Sequence, residues 1–357
     1  MNKKILTSLI VLLSACSMVE SAKVESESVK DKHLEGYKVY TWDSTKECGE
    51  KNKQNDFIRR CEKESGAFLN GVIKSTSDSK KYGDSYTYYK DGFEVKYISY
   101  WKNGNVDYIS ESEIDMKNLI QNRTSKSYFK TGEKSSDSVR KIDLILDEDI
   151  SYTGTNYYKT GVKSGVMKGG KNLKSENWTY DVDGSFILKG ERPYKNYNEK
   201  ESWFDRDRFD IWVRYDKDGK LYNGVATYHF DEYPDKIESH VSLKDGKRDG
   251  TSEYFYVKED GGDTEYSTNT YKDGIAVSFI STPFDKENDP IKETYFFDNT
   301  RYGRSIYPTG QNKLRVSCDY KGIDGSVSFG GSIGEKLNSI FEKDKTKNPC
   351  PVLDFIK

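Results

Sequence analysis

Lys130-Thr131-Gly132 and Lys159-Thr160-Gly161, together with Ser138-Val139-Arg140-Lys141, are residue types that an acyl-transferring serine site uses. Such a site needs a hydroxyl nucleophile, a lysine to take its proton, and a Lys-Thr-Gly element beside them. That chemistry has a required context: Ser-x-x-Lys opens a helix ahead of Lys-Thr-Gly, with a Ser-Asp-Asn element between them. Here no Ser-Asp-Asn lies between, and Ser138 follows the first Lys-Thr-Gly. A metal site drawn from His229, Asp231 and His240 lacks the i, i+4 spacing that sets two ligands on one helical face. No Cys-x-x-Cys pair supports zinc, no acidic pair stands out for glycoside hydrolysis, and no glycine-rich loop cradles phosphate. The expectation is a chain without catalytic residues, metal or cofactor.

The elements that carry these residues explain them differently. Lys-Thr-Gly is one spelling of a phrase, aromatic-or-Leu then Lys or Pro, then Asp, Asn or Thr, then Gly. It ends at Gly92, Gly104, Gly132, Gly161, Gly246, Gly274 and Gly310, and two copies with one inserted residue end at Gly184 and Gly219. Several of these glycines stand 27 to 29 residues apart, so the chain is a degenerate tandem repeat. Asp-Gly and Asn-Gly tolerate positive φ at both central positions of a two-residue type I′ turn, whereas the Thr-Gly copies suit a longer loop with a glycine bulge. The flanks alternate, as in "FEVKYISYW" after Gly92, which predicts antiparallel strands with one buried face. The predicted fold is mainly β: an elongated antiparallel meander of hairpin repeats. Two segments read as helical: Ser110–Asn122, and a C-terminal helix with a Ser332/Glu335 capping box and Ile333, Leu337, Ile340 and Phe341 on one face. The second would cap the last strand edge.

Composition agrees with thin β layers. Only 34% of the 357 residues are hydrophobic, yet 14% are aromatic, with 28 tyrosines, so aromatic-lined sheets suit the chain better than a thick aliphatic core. The phrase and its second glycines, in "TGVKSG" (160–165), "DGKLYNG" (218–224) and "DGKRDG" (245–250), resemble the variant MORN repeat type over about Phe68 to Gly310. Proteins with similar repeats are often antitoxins. The Gly-x-Gly endings of more familiar MORN units are missing, so the resemblance carries no lipid-headgroup role.

At the N-terminus, Lys3 and Lys4 precede an apolar run from Ile5 to Leu13. Nine helical residues span about 14 Å of a hydrocarbon core about 30 Å thick, so this is an export signal and not a membrane span. Leu13-Ser14-Ala15-Cys16 resembles a bacterial lipobox, which implies diacylglycerol on the sulfur of Cys16, removal of 1–15, N-acylation of the new terminus in many bacteria, and a membrane anchor through lipid. Ser17, where aspartate would direct retention, points by the enteric sorting pattern to the outer membrane. Residues 16–36 read as the lipidated cysteine and a polar tether, 37–310 as the repeat body, and 311–357 as a C-terminal cap. In an exported chain the four further cysteines invite disulfides; three pairings exist, and proximity favours Cys48 with Cys61 and Cys318 with Cys350.

The chain holds 57 basic and 59 acidic residues, and loss of Lys3 and Lys4 with the signal leaves a net charge of about −4, which suggests no nucleic-acid partner. In "WFDRDRFDIW" (203–212) aspartate and arginine alternate between aromatics. The plain explanation is cross-strand ion pairing on an exposed face; the functional one is a partner-binding hot spot at Trp203, Phe204, Arg206, Arg208 and Trp212. The functional expectation is a lipid-anchored envelope module that binds another protein, such as an immunity protein neutralising a secreted toxin. The alternative is a scaffolding lipoprotein contacting peptidoglycan or other envelope components.

Overall fold

In the computed structural model the described residues are 34–192, 208–257, 264–282, 290–307, 314–320 and 326–351. Residues 1–33, which include Cys16 and most of the stretch read from sequence as a tether, together with Trp203, Phe204, Arg206 and Gly310, lie outside them. The chain divides into two compact units between Glu148 and Asp149.

The first unit holds β1 (Val39–Tyr40), β2 (Thr45–Lys51), β3 (Phe57–Glu62), β4 (Gly71–Ser75), β5 (Tyr82–Lys90), β6 (Phe93–Trp101), β7 (Val106–Asp115), β8 (Ile120–Tyr128) and β9 (Lys134–Asp143). From β4 to β9 consecutive strands pair antiparallel; β1 joins β4 in parallel, and β2 and β3 form a separate hairpin. The second unit holds β10 (Glu148–Tyr157), β11 (Lys163–Gly170), β12 (Leu173–Tyr180), β13 (Phe186–Arg192) and β14 (Val213–Tyr215), paired in that order. It also holds β15 (Gly224–His229), β16 (Ile237–Lys244), β17 (Lys247–Arg248), β18 (Gly250–Val257), β19 (Thr264–Lys272), β20 (Ile275–Thr282), β21 (Ile291–Phe296), β22 (Thr300–Ile306), β23 (Leu314–Tyr320) and β24 (Ser326–Phe329). These form one antiparallel sheet in chain order, with the short β17 pairing only β16. An α-helix, α1 (Gly331–Lys343), follows. The fold is mainly β, built of consecutive hairpins, with a short C-terminal helix.

The repeat phrase builds two kinds of turn. At Asp91-Gly92, Asp245-Gly246 and Asp273-Gly274 both residues have positive φ, and the flanking residues pair directly, as in Lys90↔Phe93. These are the two-residue turns that Asp-Gly favours, because a short polar side chain and a glycine tolerate left-handed backbone. At Gly104, Gly132, Gly161, Gly184 and Gly219 the glycine alone turns left-handed; its N–H bonds three residues back and the first residue's N–H bonds four residues on, as in Gly132→Phe129 and Phe129→Glu133, 2.8 Å each. This is the longer glycine-bulge loop. It fits the Thr-Gly copies but corrects the expectation for Asn103-Gly104, whose asparagine amide instead donates to the Lys130 carbonyl of the next turn, 2.8 Å.

The two-residue turns are stitched to earlier chain in one recurring pattern. The Gly92 N–H donates to the Leu69 carbonyl, its carbonyl accepts from Arg60, and Asp91 N–H donates to Asn70 Oδ1. Gly246 likewise bonds Tyr222 and Arg214, with Asp245 on Asn223. Gly274 bonds Arg248 and Asp210, with Asp273 on Asp249. The second-glycine pairs Asn223-Gly224 and Asp249-Gly250 therefore supply the acceptor that holds the following hairpin.

Burial is distributed over small clusters, as the composition requires. Val72, Tyr86, Tyr88, Ile98 and Tyr100 form one in the first unit, and Leu34, assigned by sequence to the tether, packs against it. In the second unit Leu188 of β13 packs with Ala226, Val241 and Leu243 of β15 and β16. Buried tyrosines keep their hydroxyls bonded where they can: Tyr158 donates to the Tyr180 carbonyl at 2.9 Å, and burial pushes the Tyr88 hydroxyl up to about 12.

Both expected disulfides are formed, Cys48–Cys61 with Cα atoms 5.9 Å apart and Cys318–Cys350 at 5.8 Å. The helical reading of 110–122 is overturned. β7 turns into β8 there: Asp115 accepts from the amides of Lys117 and Asn118 and from the Asn118 side chain, and Leu119 takes positive φ. That local acceptor competes with helix and fixes a turn. The C-terminal helix also starts differently, capped by the backbone of Gly330 with no side-chain cap and not by Ser332. Phe341 and Leu337 are buried, while Ile333 is exposed. Phe341 lies 4.4 and 4.9 Å from the rings of Tyr295 and Tyr302, with Val316 and Cys318 in the same cluster. The helix thus covers a sheet face, not the edge expected.

Candidate functional site

The acyl-transfer motif is not assembled. Ser138 and Lys141 lie on β9, where residues three apart leave opposite faces, and Ser138 Oγ is 2.7 Å from Ser125 Oγ of β8. Both Lys-Thr-Gly copies are glycine-bulge turns. His229 Nδ1 sits 3.2 Å from Asp181 Oδ1, whereas His240 Nδ1 meets Thr227 Oγ1 at 3.1 Å. Burial pushes the Asp231 carboxyl up, partly offset by the Ser164 hydroxyl. No group of three His, Cys, Asp or Glu side chains among the described residues is placed to hold a metal ion.

The aromatic-arginine stretch is largely structural where it is described. Arg208 donates to the carbonyls of Phe297 and Asp298, 2.7 Å each. Trp212 is half-buried beneath the Arg192 guanidinium. At Asp210 the pairing is not on an exposed face. Its side chain is 3% exposed, pairs with Arg214 at 2.6 Å, and accepts the Arg248 amide at 2.9 Å. The ion pair joins residues four apart in one segment, and Asp210 also donates its own N–H to the Gly274 carbonyl, at 2.7 Å.

One cleft stands out, and the sequence reading did not find it. It has a volume of about 510 Å³ and opens on β12–β14, lined by Trp178, Phe186, Tyr215, Lys189, Glu191 and the turn at Asp216. Trp178, Lys189 and Tyr215 lie directly opposite one another across the three strands, and cross-strand partners share a face. The neighbouring residue Leu188 points the other way, into its cluster with Ala226 and Val241. The lining is held by charge. Lys189 Nζ lies 2.7 Å from Glu176 and 2.6 Å from Glu191, and Lys174 is 2.7 Å from Glu191. The hydrogen bond to Glu176, then that to Glu191, holds the Lys189 ammonium above its usual range; Lys174, then Lys189, holds the Glu191 carboxyl below its own. Lys168 and Lys189 each set an ammonium 5.2 Å from the Trp178 ring centre. Asp216 Oδ1 accepts from the amides of Asp218 and Lys220, 2.9 Å each. The usable signal in the sequence was alternation: Glu176, Trp178 and Tyr180 fall on one face of their strand.

No family model matches the chain, and no curated protein matches it. Among solved structures, the crystal structure of TcdB2-TccC3-TEV aligns with 87% of this chain at 11% identity and a TM-score of 0.18. The chain spans 18% of that structure's length, and a likeness so low carries no argument about fold or function.

Proposed function

We propose that this chain is a lipid-anchored protein of the bacterial envelope whose β-repeat body binds another protein and catalyses nothing, and that the bound protein is a secreted toxin which it neutralises. The lipobox-like Leu13-Ser14-Ala15-Cys16 supports the anchor, and two disulfides suit an oxidising compartment outside the cytoplasm. The observation that carries the reading is the division of labour within the repeat. The phrase residues are spent on turns, and large apolar side chains recur exposed on the strands between them: Val139 at 59%, Val225 at 56% and Tyr256 at 50%. Tyrosine-rich strand faces offer broad contact area at low entropy cost.

The test is photo-crosslinking in living cells, with the reactive residue at Val139, Val225 or Tyr256 and, for comparison, at the turn residue Lys130. The proposal expects one exported protein to be captured from a strand position and not from the turn. Failure of all three strand positions, or equal capture at Lys130, contradicts it.

A further inference from the structure

We propose that the cleft on β12–β14 binds a neutral oligosaccharide, with the C–H faces of its pyranose rings against Trp178, Phe186 and Tyr215. This stands apart from the protein-binding reading, because it rests only on the geometry of the cleft.

The size is appropriate: about 510 Å³ falls within the roughly 300–1,000 Å³ typical of small-ligand clefts. The aromatic lining comes from three strands on the face turned away from the Leu188 cluster. A ring face carries negative charge density and attracts the weakly positive C–H groups of a flat sugar.

The polar groups choose among ligands. Lys189 and Lys217 line the opening together with Glu191 and Asp216, so the lining charges balance and favour neither an anion nor a cation. What remains is a rim of both donors and acceptors, and a hydroxyl is the ligand group that uses both. Lys189 and Glu191 are held by two opposite charges each yet keep about a quarter of their side chains exposed, at 27% and 21%. Their positions are set before a ligand arrives, which lowers the entropy cost of binding. A quaternary ammonium, the other ligand that aromatic clefts take, is repelled by like charge, since the ammonium groups of Lys168 and Lys189 lie 5.2 Å from the Trp178 ring centre, whereas a neutral sugar is not.

The experiment is calorimetric titration of the purified full chain with N-acetylchitotetraose, cellotetraose, maltotetraose and tetramethylammonium chloride. At least one tetraose is expected to bind saturably, with Trp178→Ala and Tyr215→Ala each weakening it by about tenfold or more and Trp178→Phe keeping most of the affinity. Should Trp178→Ala not fold, Tyr215→Ala and Trp178→Phe decide the matter. Saturation-transfer NMR should show magnetisation passing from aromatic protons to sugar ring C–H protons. Absence of binding by all three tetraoses, binding of tetramethylammonium in their place, or unchanged affinity in the alanine variants overturns the proposal.

Discussion

Gly246→Ala should destabilise the second unit far more than Gly219→Ala, although both glycines end the same phrase and both have positive φ, +75° and +76°. Left-handed backbone costs an alanine about 1 to 2 kcal/mol, and at Gly219 that is the whole penalty, since nothing lies within 4 Å of an added Cβ. At Gly246 the new carbon meets the Arg214 carbonyl oxygen at 2.7 Å, with the Arg214 nitrogen and Leu221 Cδ2 at 3.1 Å. Backbone cannot swing aside as a side-chain tip does, and overpacking of this kind adds about 1 to 3 kcal/mol. Relief by movement would stretch the bonds Arg214→Gly246 at 2.9 Å and Gly246→Tyr222 at 3.0 Å. The expected losses are therefore about 2 to 5 kcal/mol at Gly246 against about 1 to 2 at Gly219. Urea unfolding followed by circular dichroism and tryptophan fluorescence gives the comparison. Equal losses at the two positions would refute the claim that the backbone stitched against Gly246, absent around Gly219, sets the difference between them.

Phe341→Ala empties a fully buried site between Tyr295 and Tyr302 and should cost about 3 to 5 kcal/mol; hydrogen exchange should show α1 losing protection first. Replacing Cys48 and Cys61 by serine opens a loop with a sequence separation of 13 and should cost about 3 kcal/mol, seen as protease cleavage between β2 and β3. Lys38, then Tyr40, hydrogen-bonds the Glu62 carboxylate and lowers it from 4.5 to about 2. A depressed acid stabilises the fold above its ordinary pKa and stops doing so as pH falls through the folded value. The stability advantage of the parent over Glu62→Gln should be complete at neutral pH, shrink below pH 4.5 and vanish below about pH 2. An advantage constant across that range would contradict the ion-pair assignment.

What the sequence revealed was local, and what it hid was tertiary. Lys-Asp-Gly at 90–92, 244–246 and 272–274 announced two-residue turns because both central residues favour positive φ on their own. Asn103-Gly104 carries the same local preference and disobeys it, since its asparagine side chain bonds a carbonyl 27 residues away. The alternation after Gly92 made strands legible, whereas Ser110–Asn122, rich in Ser and Glu, hid a turn that Asp115 sets by its own carboxylate. Pairing of the cysteines by proximity succeeded because hairpins and a returning helix bring near neighbours together. The cleft was illegible because its rings come from β12, β13 and β14, and only the register Trp178↔Lys189↔Tyr215 aligns them.

The central claim, an anchored protein that shields its own envelope, is tested most directly by competition. A strain lacking the chain, grown against toxin-secreting kin, should lose survival; the intact gene should restore it, and Cys16→Ser should restore it less because the lipid anchor is gone. Survival indistinguishable from the parent strain in that competition would contradict the account.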